Sequence, residues 1–207
     1  MKIHWWAAIA SLLCVGEAAA QPAPGRSGHS TAAPLTNVRP YRELQAFGGC
    51  LARTQRRNAL AVIATVPDSP EETKVLREFV YREHSTCMFG GTQMSMPNVF
   101  ARGAVAEGLL RSGGVPENYR LPSPSLGEVR DLHGAARCYT SNHRAEVEKL
   151  LQTDPASREE VAAVTALWKD VLACMPGFKG RLNAPWIRYL LAEALLRLGP
   201  VTSSAGR

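Results

Sequence analysis

A chain of 207 residues, 45% hydrophobic and 20% charged, has enough apolar material for one core or two small ones. That composition excludes a disordered chain and a coiled coil. The net charge of +6 is spread along the sequence and forms no basic stripe, so nucleic acid is not expected as a partner. Arg53, Arg56 and Arg57 are the one local cluster, read as a solvated helix end, with contact to an anionic envelope surface as the alternative.

Residues 1–20 have the layout of a secretory signal peptide. Lys2 and His4 form a weakly basic start, Trp5 to Gly16 is an apolar run, and Ala18-Ala19-Ala20 supplies small residues for cleavage before Gln21. The apolar run falls short of the ~20 residues needed to span a bilayer. Leu13 stands where a lipoprotein motif at Cys14 would want a small residue. No later stretch is long and apolar enough to cross a membrane, so the expected location is periplasmic or secreted.

Residues 21–40, rich in Pro, Gly, Ser and Ala, read as a flexible leader. Residues 113–126 read as a linker and 200–207 as a flexible tail. Between these breaks, 41–112 and 127–199 match as two helical repeats. In the first, Cys50 is followed by a polar helix, then Val66-Pro67-Asp68-Ser69-Pro70-Glu71-Glu72, Cys87, and a closing helix ending Ala106-Glu107-Gly108-Leu109-Leu110-Arg111. In the second, Cys138 leads to Thr153 through Glu160, Cys174, and Ala192-Glu193-Ala194-Leu195-Leu196-Arg197.

The helices follow from pattern. Ser69 with Glu72, and Ser157 with Glu160, have capping-box spacing, and Pro70 takes the favourable first position. Val161, Val164, Leu167, Trp168, Val171 and Leu172 form one apolar helix face. Ile187, Leu190, Leu191, Ala194 and Leu195 do the same in the last helix, which Gly199-Pro200 ends. Arg144–Leu151 and Glu128–Tyr139 read as two shorter helices. The expected fold is all-α: two tandem homologous repeats of three to four helices each, packed together.

Cleavage of the signal leaves Cys50, Cys87, Cys138 and Cys174, an even number that reads as two disulfides in an oxidising compartment. Four cysteines allow three pairings. The internal duplication favours pairing within each half, Cys50 with Cys87 and Cys138 with Cys174.

Catalytic motifs are absent: no G-x-S-x-G, H-E-x-x-H or glycine-rich phosphate loop occurs. Three weaker candidates stand out. His84 precedes Cys87 by three residues, a thiolate–imidazole spacing if that cysteine were reduced. Glu107 and Glu193 hold matching places in the closing helices, where two facing carboxylates would suit a shared cation or acid–base work. The plainer reading makes each a helix-surface glutamate, or pairs it with Arg102 or Arg188 in its own helix. The loop Met88 to Met96, with three methionines and Phe89, suits apolar binding or a soft metal, or simply fills space between helices. No cofactor is expected.

Cys50, Pro67 to Glu72, Cys87 and Arg102-Gly103-Ala104-Val105-Ala106-Glu107-Gly108-Leu109, behind a signal peptide and Pro-rich leader, resemble exported alphaproteobacterial proteins of unassigned function with a helical two-cysteine repeat. The second unit departs from that pattern, with Arg188-Tyr189-Leu190 in place of Arg-Gly-Ala. The resemblance implies a structural scaffold and brings no activity. The functional expectation is a non-catalytic binding or structural module of the cell envelope, its partner a protein or envelope component. The alternative is a small periplasmic enzyme or metal-binding protein with a site between the repeats.

Overall fold

Eight α-helices and no strand occur in the computed structural model, which describes residues 38–82, 87, 96–180 and 182–199. The signal segment, residues 21–37 of the expected leader, the tail, His84 and residues 88–95 of the methionine-rich loop lie outside the described residues, and the last two leader positions, Arg39 and Pro40, already belong to the first helix.

Helix α1 (Arg39–Thr54) begins with proline in its first turn and buries Tyr41, Leu44, Phe47, Gly48, Leu51 and Ala52, three to four residues apart. Helix α2 (Arg56–Ala64) follows almost at once and buries Ala59, Val62 and Ile63. Ser69 caps α3 (Pro70–Leu76) by accepting the Glu72 amide, and the chain continues as a π-helical turn over Arg77–Arg82. Helix α4 (Asn98–Arg111) is buried on nearly every side, from Val99 to Leu109.

Two short 3-10 turns, Glu117–Tyr119 and Leu126–Glu128, carry the chain to α5 (Leu132–Asn142). Helix α5 starts four residues later than the sequence pattern suggests. Glu128 belongs to a capping box with Ser125 in the preceding turn, and Asp131 is the residue whose side chain caps α5. Helices α6 (Arg144–Gln152) and α7 (Arg158–Ala173) follow, and α7 is capped by Ser157. Helix α8 (Ala184–Leu198) is capped by Asn183 and, like α4, is buried almost all round.

Both capping boxes differ from the expected form in one respect. The Glu72 and Glu160 carboxylates reach back past the cap residue to the amides of Asp68 (2.8 Å) and Ala156 (2.7 Å). Asp68 and Ala156 both stand at φ 60°, a left-handed conformation that non-glycine residues rarely adopt. The carboxylate bond to each amide helps hold that turn.

The central feature is α4 against α8. Helices α1 and α2 pack on α4, and α5, α6 and α7 pack on α8. Two apolar clusters result, one from α1–α4 with Tyr189 and Leu196, the other from α5–α8 with Val99. Phe100 and Leu110 touch both clusters. Rings stitch the same seam: Tyr189 stands edge-on to Tyr41 at 5.6 Å and Phe100 edge-on to Trp186 at 5.3 Å.

Close helix contact depends on glycine at Gly48, where a Cβ would collide with the Ala104 carbonyl on α4. Gly48→Ala therefore must push α1 off α4, and the overpacking exceeds the gain in helix propensity. A loss of about 2 kcal/mol in urea unfolding is expected. Gly127→Ala, with open space around its Cβ, is the control and leaves the midpoint unchanged.

Cys50 on α1 is bonded to Cys87, and Cys138 on α5 to Cys174 at the end of α7. These bridges are compatible with an oxidising, non-cytoplasmic compartment. Among the described residues, no helix is long and apolar enough to cross a membrane.

Candidate functional site

Helix termini leave carbonyls and amides without partners, and a buried terminus must find them elsewhere. Helix α2 ends against Arg102 of α4. The Arg102 guanidinium donates to the carbonyls of Val62 (2.9 Å), Ile63 (3.1 Å) and Thr65 (2.9 Å), and to Thr65 Oγ1. It also binds Glu72 Oε1 (3.0 Å), so one side chain ties the end of α2 to the start of α3. Its Nε donates to Glu193 Oε1 (2.7 Å) on α8.

Arg188 of α8 does the corresponding work. It donates to the carbonyls of Leu150 (3.3 Å), Leu151 (3.0 Å) and Thr153 (3.1 Å), and to Thr153 Oγ1, where α6 ends. It binds Glu160 Oε1 (3.1 Å) at the start of α7, and both oxygens of Glu107 on α4, at 2.7 and 3.1 Å. Both arginine side chains are 0% exposed.

Glu107 and Glu193 are thus each bound by the arginine of the other central helix, where the sequence suggested a partner in the same one. Each guanidinium is turned toward the helix end it caps, so it meets the carboxylate arriving from the neighbouring helix. Both glutamates do have a same-helix arginine one turn on, Arg111 for Glu107 and Arg197 for Glu193 (3.6 Å). Gln45 Nε2 donates to both oxygens of Glu107 (3.0 and 3.1 Å), and His133 Nδ1 bonds Glu193 Oε2 at 2.8 Å. The two carboxylates sit on separate guanidiniums.

Burial alone would raise the Glu193 carboxyl. The Arg102 charge, with His133, outweighs it and holds the group at about 2. Burial pushes Arg188 down, and its bonds to Glu107 carry it above its ordinary value. Tyr41, which donates to Glu160, is raised well above the usual phenol range by burial first and the Glu160 charge second. A carboxyl depressed from 4.5 to about 2 stabilises the fold above pH 4.5 and loses that contribution as pH falls toward 2. The depression corresponds to about 3 kcal/mol. Acid unfolding of Glu193→Gln is therefore expected to show a shallower fall in stability between pH 5 and roughly 2 than the native chain.

The sequence named Glu107 and Glu193 but missed Glu72 and Glu160, whose place in a capping motif concealed their second role. His133, five residues before Cys138, has its ring buried against Glu193. Arg56, read as part of a solvated end, donates to the Ser112 (3.3 Å) and Gly114 (2.6 Å) carbonyls, while Arg53 and Arg57 stay exposed. Among the described residues, no group of three or more His, Cys, Asp or Glu side chains could hold a metal ion.

A separate concave surface, of about 610 Å3, runs beside α1 and the end of α4. Arg42, Arg53 and Arg111 line it, with Gln45 and Asp154.

Fold and site together define an all-helical, doubly disulfide-bonded protein with an internal arginine–glutamate network. No family model, curated protein or solved structure matches this chain.

Proposed function

We propose that this protein is an exported, non-catalytic binding or structural module of the cell envelope, built from two homologous helical repeats. The observation that carries the reading is the occupancy of Glu107 and Glu193. Each is buried under guanidinium and amide or imidazole donors, so its lone pairs are committed to holding α4 against α8. Chemistry at these carboxylates would require breaking the contacts that support the fold.

The repeat reading is supported by matched geometry. Arg102 and Arg188 have the same partner types, Glu72 and Glu160 make the same backward bond, and Asp68 and Ala156 share an unusual conformation. The bridges span 37 and 36 residues. Export is supported by the signal-like N-terminus and the two bridges.

Two measurements test the proposal. Intact mass and a non-reducing peptide map of the protein recovered from the periplasm should show a start at Gln21 and both bridges. A panel of chromogenic ester, phosphate, glycoside and peptide substrates should show no turnover. Turnover that Glu107→Gln or Glu193→Gln abolishes, in a variant still folded by circular dichroism, would replace this reading with an enzyme.

A further inference from the structure

The groove beside α1 carries charge that the fold does not use. The Arg42 and Arg53 side chains are exposed and make no hydrogen bond or ion pair with the described residues. Arg111 is anchored by Glu107 at one end, yet its side chain stays 54% exposed. The floor between them is small, made of Ala46 and Gly49. Arg53 Nη1 lies 3.3 Å from where a Cβ on Gly49 would stand, so the guanidinium folds back along the helix into the groove. Asp154 is the one carboxylate in the lining, which leaves the surface net positive.

The lining also constrains the partner. It contains no aromatic ring to stack on a base or a sugar, and no large aliphatic side chain to meet an acyl chain. What it offers is forked guanidiniums, which bind carboxylates in a bidentate manner. Arg42 and Arg53 are eleven residues apart on one helix, roughly 16 Å at 1.5 Å per residue. An extended peptide covers that span in about five residues.

We propose that this groove docks an extended, acidic peptide segment of a partner protein, its carboxylates meeting Arg42, Arg53 and Arg111. The inference rests on the binding-module reading and names the chemistry of the partner. Arg111 is the preset contact, because Glu107 holds its position. Arg42 and Arg53 close on the peptide and supply most of the charge dependence.

Fluorescence anisotropy with a labelled eight-residue Glu-Ser repeat peptide, at low salt, tests it on the full mature chain. The peptide should bind, and a Lys-Ser repeat should not. Arg42→Ser with Arg53→Ser should weaken binding at least tenfold, without change in melting temperature. Arg57→Ser, which removes an exposed charge outside the groove, should leave it within twofold. No binding, or an equal loss in Arg57→Ser, overturns the proposal. So does displacement by inorganic polyphosphate or phosphatidylglycerol vesicles at charge concentrations where free acidic peptide fails to compete. Absence of peptide binding with a silent substrate panel removes the groove assignment alone; turnover in that panel removes the broader reading.

Discussion

Arg102→Met is expected to destabilise the protein by about 4 kcal/mol, because removing one partner of a buried ion pair leaves the other's charge buried and less well compensated. The substitution roughly conserves volume, so the effect is not a cavity. Glu72 would keep its bond to the Asp68 amide, and Glu193 would keep His133 and Arg197. The carbonyls of Val62, Ile63 and Thr65 would lose the guanidinium that satisfies them. Urea unfolding followed by circular dichroism reads the loss directly, as a lower midpoint at unchanged slope. A loss below about 1 kcal/mol would mean that water or rearrangement replaces the arginine, and that the network is not what fixes α4 to α8.

The same experiment has a sharper form. A double-mutant cycle between Arg102 and Glu193 should give a coupling of at least about 1 kcal/mol, because the two single changes remove one shared bond. A cycle between Arg188 and Glu193, five residues apart in the same helix, should give a coupling near zero. The opposite pattern would place the pairing within each helix.

That distinction marks where the sequence stops being informative. Helix starts are written locally: Ser69, Ser157 and Asn183 cap α3, α7 and α8 by a side chain that accepts the amide three residues on. The apolar spacing of α7 is equally local. Arg102 and Glu107 share a helix but stand five residues apart, beyond the three- or four-residue spacing that brings side chains together, so the helix alone supplies no partner for Arg102. Their true partners come from packing α4 on α8, a long-range choice that no short window contains. The place of His133 is hidden for the same reason, since its ring faces Glu193, sixty residues away in sequence. The π-helical turn at Arg77–Arg82 has no sequence signature in the reading above. In α5 the error was a boundary: Glu128 looked helical, but it completes a separate capped turn.

The network also relates stability to the proposed role. Its charges are buried and paired with one another, so they contribute rigidity while presenting little to a ligand. Arg111 is the exception, with one end on Glu107 and the rest exposed at the groove. A peptide held there would sit against a side chain already fixed by the core. Less side-chain entropy is then lost on binding than at a free arginine.

Removal of a bridge is the other change of comparable size. Closing a loop of 37 residues, as Cys50–Cys87 does, lowers the entropy of the unfolded chain by an amount equivalent to about 4 kcal/mol. Cys138–Cys174 closes 36 and contributes about the same. Cys50→Ser with Cys87→Ser should therefore lower the melting temperature by about 12 °C, at roughly 3 °C per kcal/mol for a chain of this size. The mechanism acts on the unfolded state, so the folded variant should keep its helical spectrum and peptide affinity at low temperature. Removing both pairs costs about 8 kcal/mol, comparable to the entire stability of a typical domain. A signal-deleted chain kept reduced in a cytoplasm should then be largely unfolded and degraded, while the same chain refolded under oxidising conditions should melt normally. If the single-bridge variant instead melts within about 2 °C of the native chain, the fold is held by its ion-pair network and core alone. The requirement for an oxidising compartment would then disappear with it.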